Sequence, residues 1–315
     1  MSNEADIRVS QSLTEYSVGY SNTQFIAELA LPRVIERRTN PFAYTWDKDN
    51  FLLQDDLRAP ATKSNAVTIG LSKGSSFVLQ EHALHSDIPI EDYNAAKDAD
   101  ARWDLKRDHT KMVNDMLLLR HEYDVAAALF NATTFASYTA ALTGNDRWDV
   151  VGTSDPVGKV LDAIEAVRQQ IGIDANTVII GKTVFRKLQN HPDILDRIKY
   201  GGNTMKPADV TAAALASIFN VDKVLVGGAV YNSNPQGKAA SMTDVWGKYC
   251  LVCYVNPNPS PMSPSLGYNY YNPDFEKVRE WYKEEEEAWR VEVKKKYKPM
   301  INSAVSGYLY QTVIS

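Results

Sequence analysis

The sequence predicts an α+β fold in which helical and strand patterns occupy separate stretches of the chain. Residues 41–90 show the period-two alternation of β-strands. Residues 91–130 contain no Gly or Pro and repeat apolar side chains every three or four residues. Residues 153–268 mix short helices with short strands, and a last strand pattern occupies residues 274–315. We therefore expect an extended β excursion, a long helix and a compact α/β part.

Composition limits the class of protein. The chain has 315 residues, of which 44% are hydrophobic and 23% are charged, as in a folded protein with a large core. Its formal net charge of −5 argues against tight binding of nucleic acid, because surfaces that do so are basic. No apolar run approaches the roughly 18 residues of a membrane span, and the polar start MSNEADIRVS does not resemble a secretory signal. We therefore expect a protein that stays in the cytoplasm where it is made, or in a particle assembled there.

Residues 1–40 contain little periodic structure. One short helical stretch, TQFIAELALP, ends at Pro32, and the basic residues Arg33, Arg37 and Arg38 follow it. We expect this segment to be an arm that packs on something else, rather than a domain with its own core.

Residues 41–90 predict a two-stranded excursion. Apolar residues alternate around Tyr44 and Trp46 and again in VTIGL at 67–71, and the polar, charged connection NFLLQDDLRAPATKSNA lies between them. An isolated hairpin is at best marginally stable in water. The excursion therefore needs a partner surface, either in this chain or in a neighbouring one.

Residues 91–130 predict one long helix. If the segment is helical throughout, about 40 residues rising about 1.5 Å each span roughly 60 Å. A lone histidine in the apolar stripe of such a helix is more typical of packing than of ligand binding. The predicted stripe, with side chains spaced four and three apart, consists of Leu105, His109, Met112, Met116, Leu119, Tyr123, Ala126 and Phe130.

The α/β part begins with a helix that Ser154 or Asp155 caps, that has Pro156 in its first turn and that ends at Gly172. The strand NTVIIG, the helix KTVFRKLQNHPDILDRIKY with a break at His191, and the helix VTAAALASIFN follow. Two strands, KVLVGGAVYN and DVWGKYCLVCYV, complete it, and the proline-rich PNPSPMSPSLGYNYYNP predicts an irregular loop. The expected buried face of the first helix is Val157, Val160, Leu161, Ile164, Val167 and Ile171.

The stretch VIIGKT, residues 178–183, ends like the phosphate-binding loop G-x-x-x-x-G-K-[ST], in which backbone N–H groups surround a phosphate. Counting back from Gly181, the first glycine of that motif falls on Asn176, and the nearest upstream glycine is Gly172. Because Asn can adopt the left-handed conformation, a P-loop-like nucleotide-binding enzyme stays open as an alternative. The simpler hypothesis is a strand, a tight turn and the start of a helix.

Three other clusters suggest chemistry without supporting it. Cys250 and Cys253 form a C-x-x-C, typical of a redox pair or half a zinc site, but they lie in a strand pattern, where residues three apart point to opposite faces. His82 and His85 have the same spacing, so we do not expect a shared metal. The four carboxylates at 284–287 point in several directions, whereas hard cations need converging oxygens. No hydrolase, metalloprotease or dinucleotide motif is present, so we expect no catalytic residue, cofactor or metal.

The order of these parts resembles the major capsid proteins of tailed bacteriophages, with the HK97-type fold. IPIEDYN before the long helix is similar to the end of the extended loop, and VIIGKTVFRKLQNHPDILDRIKY and NVDKVLVGGAVYN are similar to the axial domain. EEEEAWRVEVKKKYKPMINSAVSGYLY is similar to the closing β arm of the peripheral domain. The expected division is an N-terminal arm (1–40), an extended loop (41–90), the spine helix and first part of the peripheral domain (91–152), an axial domain (153–270) and returning peripheral strands (271–315).

The resemblance implies a structural subunit that self-assembles into hexamers and pentamers of an icosahedral head around double-stranded DNA, without sequence-specific DNA binding. It implies a virion protein, assembled in the bacterial host cytoplasm, that works with a portal protein and leaves room for a decoration protein. Because the arm begins within about 20 residues of Met1, we expect scaffolding from a separate protein, or from a segment that was cleaved and is absent from this numbering; the initiating Met1 favours the separate protein. Lys48 and Lys63 lie in the extended loop, but no crosslinking motif matches, so we expect no covalent crosslink.

An encapsulin-like compartment that encloses a cargo enzyme is the nearest alternative within the fold. On either hypothesis, subunits meet through the arm, the extended loop and the two oppositely charged blocks of the tail. The candidate intersubunit contacts are Arg33, Arg37, Arg38, Trp46, Phe51, Asp55, Asp56, Arg58, Glu285, Glu286, Lys295 and Lys296.

Overall fold

The computed structural model places most of the chain in two β-sheets with helices packed on them. The residues that it describes are 8–19, 25–46, 48–53, 56–58, 60–67, 70–98, 104–200, 210–260 and 263–315. The helices are α1 (Gln11–Gly19), α2 (Ala27–Ala30), α3 (Ile90–Asp98), α4 (Leu105–Leu129), α5 (Pro156–Ile171), α6 (Lys182–Gln189), α7 (Pro192–Tyr200) and α8 (Ala212–Phe219). The strands are β1 (Arg8–Val9), β2 (Arg33–Ile35), β3 (Phe42–Trp46), β4 (Leu71–Ser76), β5 (Gln80–Pro89), β6 (Thr139–Ala141), β7 (Thr177–Gly181), β8 (Lys223–Gly227), β9 (Val230–Asn232), β10 (Met242–Asp244), β11 (Cys250–Cys253), β12 (Gly267–Tyr271), β13 (Lys277–Lys283), β14 (Ala288–Ile301) and β15 (Gly307–Gln311).

The six-stranded sheet is organised by β14, which is 14 residues long. Strands β13, β5 and β12 all pair with it in antiparallel register, and the short β1 and β2 extend the sheet on β13 and β12. Helix α4 lies across this sheet, where Val113 and Leu117 join Val291 and Val293 in one buried cluster. The long tail strands that the sequence predicts are therefore present, and they form the platform for the long helix.

The five-stranded sheet has the order β6-β15-β11-β7-β8 and is covered on both faces. Successive residues of a strand point to opposite faces, and β7 shows this directly. Val178 and Ile180 pack with α5, α6 and α8, whereas Ile179 packs with the end of α4 and with α2. This sheet is buried on both sides, which explains why every residue of β7 is buried and why Val178, Ile179 and Ile180 form an apolar run instead of alternating.

The long helix is shorter than the sequence predicts. The prediction of one helix over 91–130 is wrong, because Asp104 leaves helical geometry and its side chain caps α4 by accepting a hydrogen bond from the N–H of Arg107 (3.2 Å). Helix α4 still has 25 residues, about twice the usual globular length.

The predicted apolar stripe of that helix is wrong in its middle, although Ala126 is buried and Leu119 and Phe130 pack partly buried against the same core. Met112, Met116 and Tyr123 are exposed, and the buried face lies one residue away. It consists of Thr110, Val113, Asn114, Leu117, His121, Glu122, Val125, Ala126 and Leu129. Four of these are polar: Thr110 bonds the Lys106 carbonyl within α4, whereas Asn114, His121 and Glu122 find partners in other parts of the chain. A search for apolar periodicity could therefore not identify the face.

The N-terminal segment packs on its own chain in the residues that the structure describes. Helix α1, which the sequence analysis missed, places Leu13 in the cluster beneath α4. The predicted short helix is α2, and Ile26, Ala30 and Leu31 are buried against the five-stranded sheet. As expected of a segment without its own core, helices α1 and α2 pack on other elements, and these belong to the same chain. A reach of the arm to a neighbouring subunit stays a prediction.

The structure divides or assigns several predicted segments differently from the sequence-based expectation. KVLVGGAVYN divides into β8 and β9, and DVWGKYCLVCYV is a strand only at β11, since β10 ends at its first residue, Asp244. Strands β9 and β10 form a separate pair. Part of the predicted proline-rich loop is β12, a strand within the six-stranded sheet. Strand β15 pairs with β11 in the five-stranded sheet, so the tail does not lie wholly in the returning strands.

Candidate assembly site

The predicted excursion is a two-stranded ribbon. Strands β3 and β4 pair antiparallel from Trp46 opposite Leu71, and the base of the ribbon is buried where Ala43, Phe77 and Leu79 pack on Tyr268 and Tyr270. The base is therefore anchored in this chain, as the marginal stability of an isolated hairpin requires.

The connection between β3 and β4 exposes apolar side chains. Leu53 is fully exposed, Leu57 is 85% exposed and Leu52 is 61% exposed. Asn50 closes the loop at its base, because its amide donates to the carbonyl of Gly70 (2.7 Å) and its carbonyl accepts from the N–H of Gly70 (2.8 Å). A closed loop that presents three leucines to solvent is typical of a surface that another protein covers.

The three basic residues of the arm have different environments. Arg33 is committed within the chain: its guanidinium donates to Glu276 (2.5 Å), lies 3.5 Å from Glu28 and stacks on the ring of Tyr271. Arg37 is 3.5 Å from Asp274, and Arg38 is 3.8 Å from Glu36, but both side chains are largely exposed. Of the three, Arg37 and Arg38 are therefore the ones available to a neighbouring subunit.

The candidate contacts of the extended loop are only partly described. Trp46 ends β3, and Asp55 lies outside the described residues, whereas Asp56 and Arg58 are exposed. The ring of Phe51 lies against Gly172, the left-handed cap of α5, where an added Cβ would be 2.8 Å from the ring. Phe51 thus contacts its own chain while half of it remains exposed.

The two charge blocks of the tail lie at different places on one hairpin. Residues 284–287 form the turn between β13 and β14, where Glu285 is exposed and Glu286 contacts Lys283 and Arg290. Lys296 lies over the ring of Phe275 at 4.3 Å. Lys295 points to the other face of β14, towards α4, so the three adjacent lysines do not form one surface. Pairing of these blocks between subunits stays a prediction.

Glu122 joins three parts of the molecule, and the sequence analysis missed it. One carboxylate oxygen accepts from the N–H of Ile26 (2.9 Å) and from the indole N–H of Trp246 (2.7 Å), and the other accepts from the N–H of Ala27 (2.8 Å). The residue is fully buried. Burial raises the pKa of this carboxyl, and the three N–H donors oppose that shift. The carboxylate thereby fixes the arm and the loop before β11 to the long helix.

A second buried polar group lies one residue earlier. His121 hydrogen-bonds the side-chain amide of Asn269 through Nε2 (2.8 Å), and its ring packs edge-on against Tyr297. His82 also contacts Tyr297, stacked on its ring with a centroid distance of 4.2 Å. Burial lowers the pKa of His121 to about 3, so the ring is neutral at physiological pH.

The structure gives VIIGKT a structural role. Asn176, where the phosphate loop would need its first glycine, exchanges two hydrogen bonds with Val255, accepting from its N–H and donating to its carbonyl, both at 2.9 Å. Gly181 lies so close to Gly247 that an added Cβ would be 2.2 Å from its carbonyl oxygen. Lys182 then begins α6. The stretch 176–183, which the structure describes throughout, therefore forms no loop that could surround a phosphate, as a nucleotide-binding enzyme would require.

Other candidate chemistry is also structural. Cys250 and Cys253 are buried on opposite faces of β11, one in each core, as the sequence predicts. Ser154 Oγ lies 3.0 Å from His191 Nε2, and His191 Nδ1 lies 3.8 Å from Asp193, which resembles a nucleophile arrangement. The Ser154 hydroxyl, however, donates to the Val150 carbonyl (2.7 Å), so the histidine cannot withdraw that proton. Within the described ranges, no group of three or more His, Cys, Asp or Glu side chains could hold a metal.

None of the described helices is long and apolar enough to cross a membrane. The described residues thus form three parts. The long helix α4 packs on the six-stranded sheet, the five-stranded sheet is covered on both faces, and the β3–β4 ribbon has a buried base and an exposed apolar tip. These parts define a shell-forming protein with the HK97-type fold.

Comparison with known proteins agrees with that class. The chain is 30% identical over 262 residues to the major capsid protein of Burkholderia phage BcepMu, covering 81% of each sequence. A phage-related protein from Bordetella bronchiseptica RB50 superposes with a TM-score of 0.78 at 25% identity, over 97% of both chains. The capsid of cyanophage P-SCSP1u has a TM-score of 0.56 at 10% identity over 89% of this chain and 85% of that one, which shows the fold alone. No protein-family model matches. This chain belongs to the phage major capsid proteins.

Proposed function

We propose that this chain assembles with copies of itself into hexamers and pentamers that tile a closed icosahedral head around double-stranded DNA, and that it catalyses no reaction. The main support is the ribbon β3–β4, whose base is buried in its own chain and whose tip presents Leu52, Leu53 and Leu57 to solvent. Exposed leucines on an anchored loop gain stability when another subunit covers them.

The proposal extends to partners and place. A separate scaffolding protein and a portal protein would guide assembly in the bacterial cytoplasm, and the finished subunit would reside in the virion. The net charge of −5 is compatible with enclosing DNA without binding its sequence. The exposed Arg37, Arg38, Asp56, Arg58 and Glu285 would line the contacts between subunits.

The decisive experiment removes the loop and keeps its base. Residues 48–67 are replaced by a short Gly-Ser turn, which leaves Ala43, Phe77 and Leu79 in their buried cluster. We expect the variant to fold and to form no closed shells when it is produced with the assembly partners, as seen by electron microscopy and light scattering. Shells of normal size would contradict the proposed clamp.

A milder variant tests the apolar tip itself. Replacing Leu52, Leu53 and Leu57 by Ser should reduce shell yield without changing the unfolding temperature of the subunit. Val151→Ser with Met242→Ser is the matched control, since these side chains are similarly exposed outside the loop. The contents of any wild-type particles, DNA or an enclosed enzyme, distinguish a virus head from an encapsulin-like compartment.

A further inference from the structure

A cavity of about 400 Å³ lies between the arm, the long helix and the six-stranded sheet. Thr14, Ser17 and Phe25 of the arm form one wall, and Leu118 and His121 of α4 form another. Its remaining wall carries several charged side chains, namely Glu28, Arg33, Glu122, Glu276, Lys277, Lys294 and Lys295.

Lys295 lies on the face of β14 that α4 covers, because residues two apart on a strand point to the same side. Val291 and Val293 precede it at the same parity on β14, and both are buried beneath α4, as is Tyr297 after it. Lys294, at the other parity, contacts Glu81 and Glu292 instead. Lys295 therefore brings an ammonium group into a row of otherwise buried residues.

The charged side chains that line the cavity are not all paired, and Lys295 is left without a carboxylate partner among the described residues. Arg33 is paired with Glu276 and Glu28, and Glu122 is satisfied by three N–H donors. No carboxylate of the described residues lies within 4.0 Å of the Lys295 ammonium, although Glu276 and Glu28 face it along with Arg33. Burial lowers the pKa of this amine, which indicates an ammonium that its surroundings solvate poorly.

The Lys295 side chain is half-buried and no described carboxylate lies within 4.0 Å of its ammonium, so an anion bound in the cavity beside it would supply the missing opposite charge. We propose that this cavity is a binding site for a small anion, a phosphate or a carboxylate, held by Lys295. The cavity volume accommodates such an ion with several waters, since a water occupies about 30 Å³ of liquid. Lys277 at the rim, exposed and outside any described ion pair, adds a second positive charge.

The test is thermal unfolding of the purified full-length chain while inorganic phosphate replaces chloride at constant ionic strength. We expect a saturable rise of Tm for the wild type and loss of that rise in Lys295→Met, which keeps the side-chain length and removes the charge. Lys296→Met is the matched control, because Lys296 lies on the other face over Phe275, and it should respond like the wild type.

Folding of the test variant is checked separately. In chloride alone, Lys295→Met should unfold at or above the wild-type temperature, since no described carboxylate loses an ion pair. If that variant fails to fold, Lys295→Gln replaces it, and equilibrium dialysis with labelled phosphate measures binding directly. Equal stabilisation of all variants, or no response of the wild type, would overturn the site.

Parallel titrations identify the source of the anion. Acetate tests a carboxylate, inorganic phosphate tests a free phosphate, and a short DNA duplex tests a backbone phosphate. A response to any of these that disappears in Lys295→Met supports the cavity. A response that Lys295→Met leaves unchanged places the binding elsewhere and contradicts the proposal.

Discussion

The carboxylate of Glu122 accepts a hydrogen bond from the indole N–H of Trp246 at 2.7 Å, across 124 residues of chain. Trp246 itself rests on Gly227 at the end of β8, where an added Cβ would lie 2.1 Å from the indole ring. The long helix is therefore tied to the α/β sheet by one buried acid. The same acid binds two backbone N–H groups at the start of α2, so the position of the arm depends on it as well.

Removing this acid should destabilise the subunit strongly. In Glu122→Ala, three buried N–H donors lose their acceptor, and we expect a loss of roughly 2–4 kcal/mol in the free energy of unfolding. Urea unfolding measures the change, and Glu284→Ala in the exposed turn is the control. A change within experimental error would show that water or other groups can satisfy these donors.

The same carboxylate should make stability depend on pH in an unusual direction. Because the pKa of Glu122 is raised in the folded state, that state binds more protons than the unfolded chain above pH 4.5, and its contribution to stability falls as pH rises through the raised pKa. Glu122→Gln carries no titrating group. Unfolding free energies of the two proteins, measured across this window, should therefore differ in slope, and parallel curves would contradict the assignment.

His121 should weaken the fold in mild acid. Its pKa is about 3 in the folded state against 6.5 in the unfolded chain, so the unfolded chain gains a proton as pH falls below 6.5. From pH 7 to 5 this costs roughly 2 kcal/mol of unfolding free energy. His121→Gln should lose less stability over that interval, and equal losses in the two proteins would contradict this assignment.

Gly181 should be essential where Lys182 is not. A Cβ at Gly181 would meet the backbone of Gly247 at 2.2 Å, and backbone cannot move aside as a flexible side chain can. We expect Gly181→Ala to cost about 2 kcal/mol or more and to reduce the yield of folded protein. Lys182→Ala, at an exposed position, should fold normally, and absence of ATP binding by the wild type would complete the exclusion of a phosphate loop.

The pair Asp87–Arg290 should hold β5 to β14. Two hydrogen bonds of 2.5 Å join the carboxylate to the guanidinium, and these residues are direct partners in the strand register. Hydrogen bonding from Arg290 lowers the pKa of Asp87, so its stabilisation is present above pH 3.8 and is lost as pH falls through the lowered value. Since both side chains are partly exposed, Asp87→Asn should cost only about 1 kcal/mol.

The loss of unfolding free energy in Asp87→Asn should appear on unfolding by urea at pH 7 and should diminish in strong acid. Arg290→Lys is the informative companion, because it keeps the charge and removes the two-pronged geometry. An equal loss of unfolding free energy in Asp87→Asn and Arg290→Lys would show that the paired hydrogen-bond geometry stabilises the sheet. A loss confined to Asp87→Asn would show that the attraction between the opposite charges is what stabilises the pair.

The sequence by itself determined the order of the parts and the class of protein. Period-two alternation marked β3 and the tail, whereas β4 begins at Leu71, where the predicted strand VTIGL ends. A cap at Ser154 or Asp155 and an end at Gly172 bounded α5, and the spacing of Cys250 and Cys253 predicted opposite faces. These features follow from local geometry, since a turn or a strand imposes its period on a few neighbouring residues.

Only the tertiary structure decided which polar residues are buried and what they bind. The buried face of α4 includes Asn114, His121 and Glu122, whose partners are Ser17, Asn269 and Trp246, far away in the chain. A burial pattern set by such partners leaves no local apolar signal, and for that reason the predicted stripe fell on the exposed methionines. In the same way, the alternation of β14 turns Lys295 towards α4, whereas Lys294 contacts Glu81 and Lys296 lies over Phe275 at the other parity of the strand, because α4 covers one face of β14.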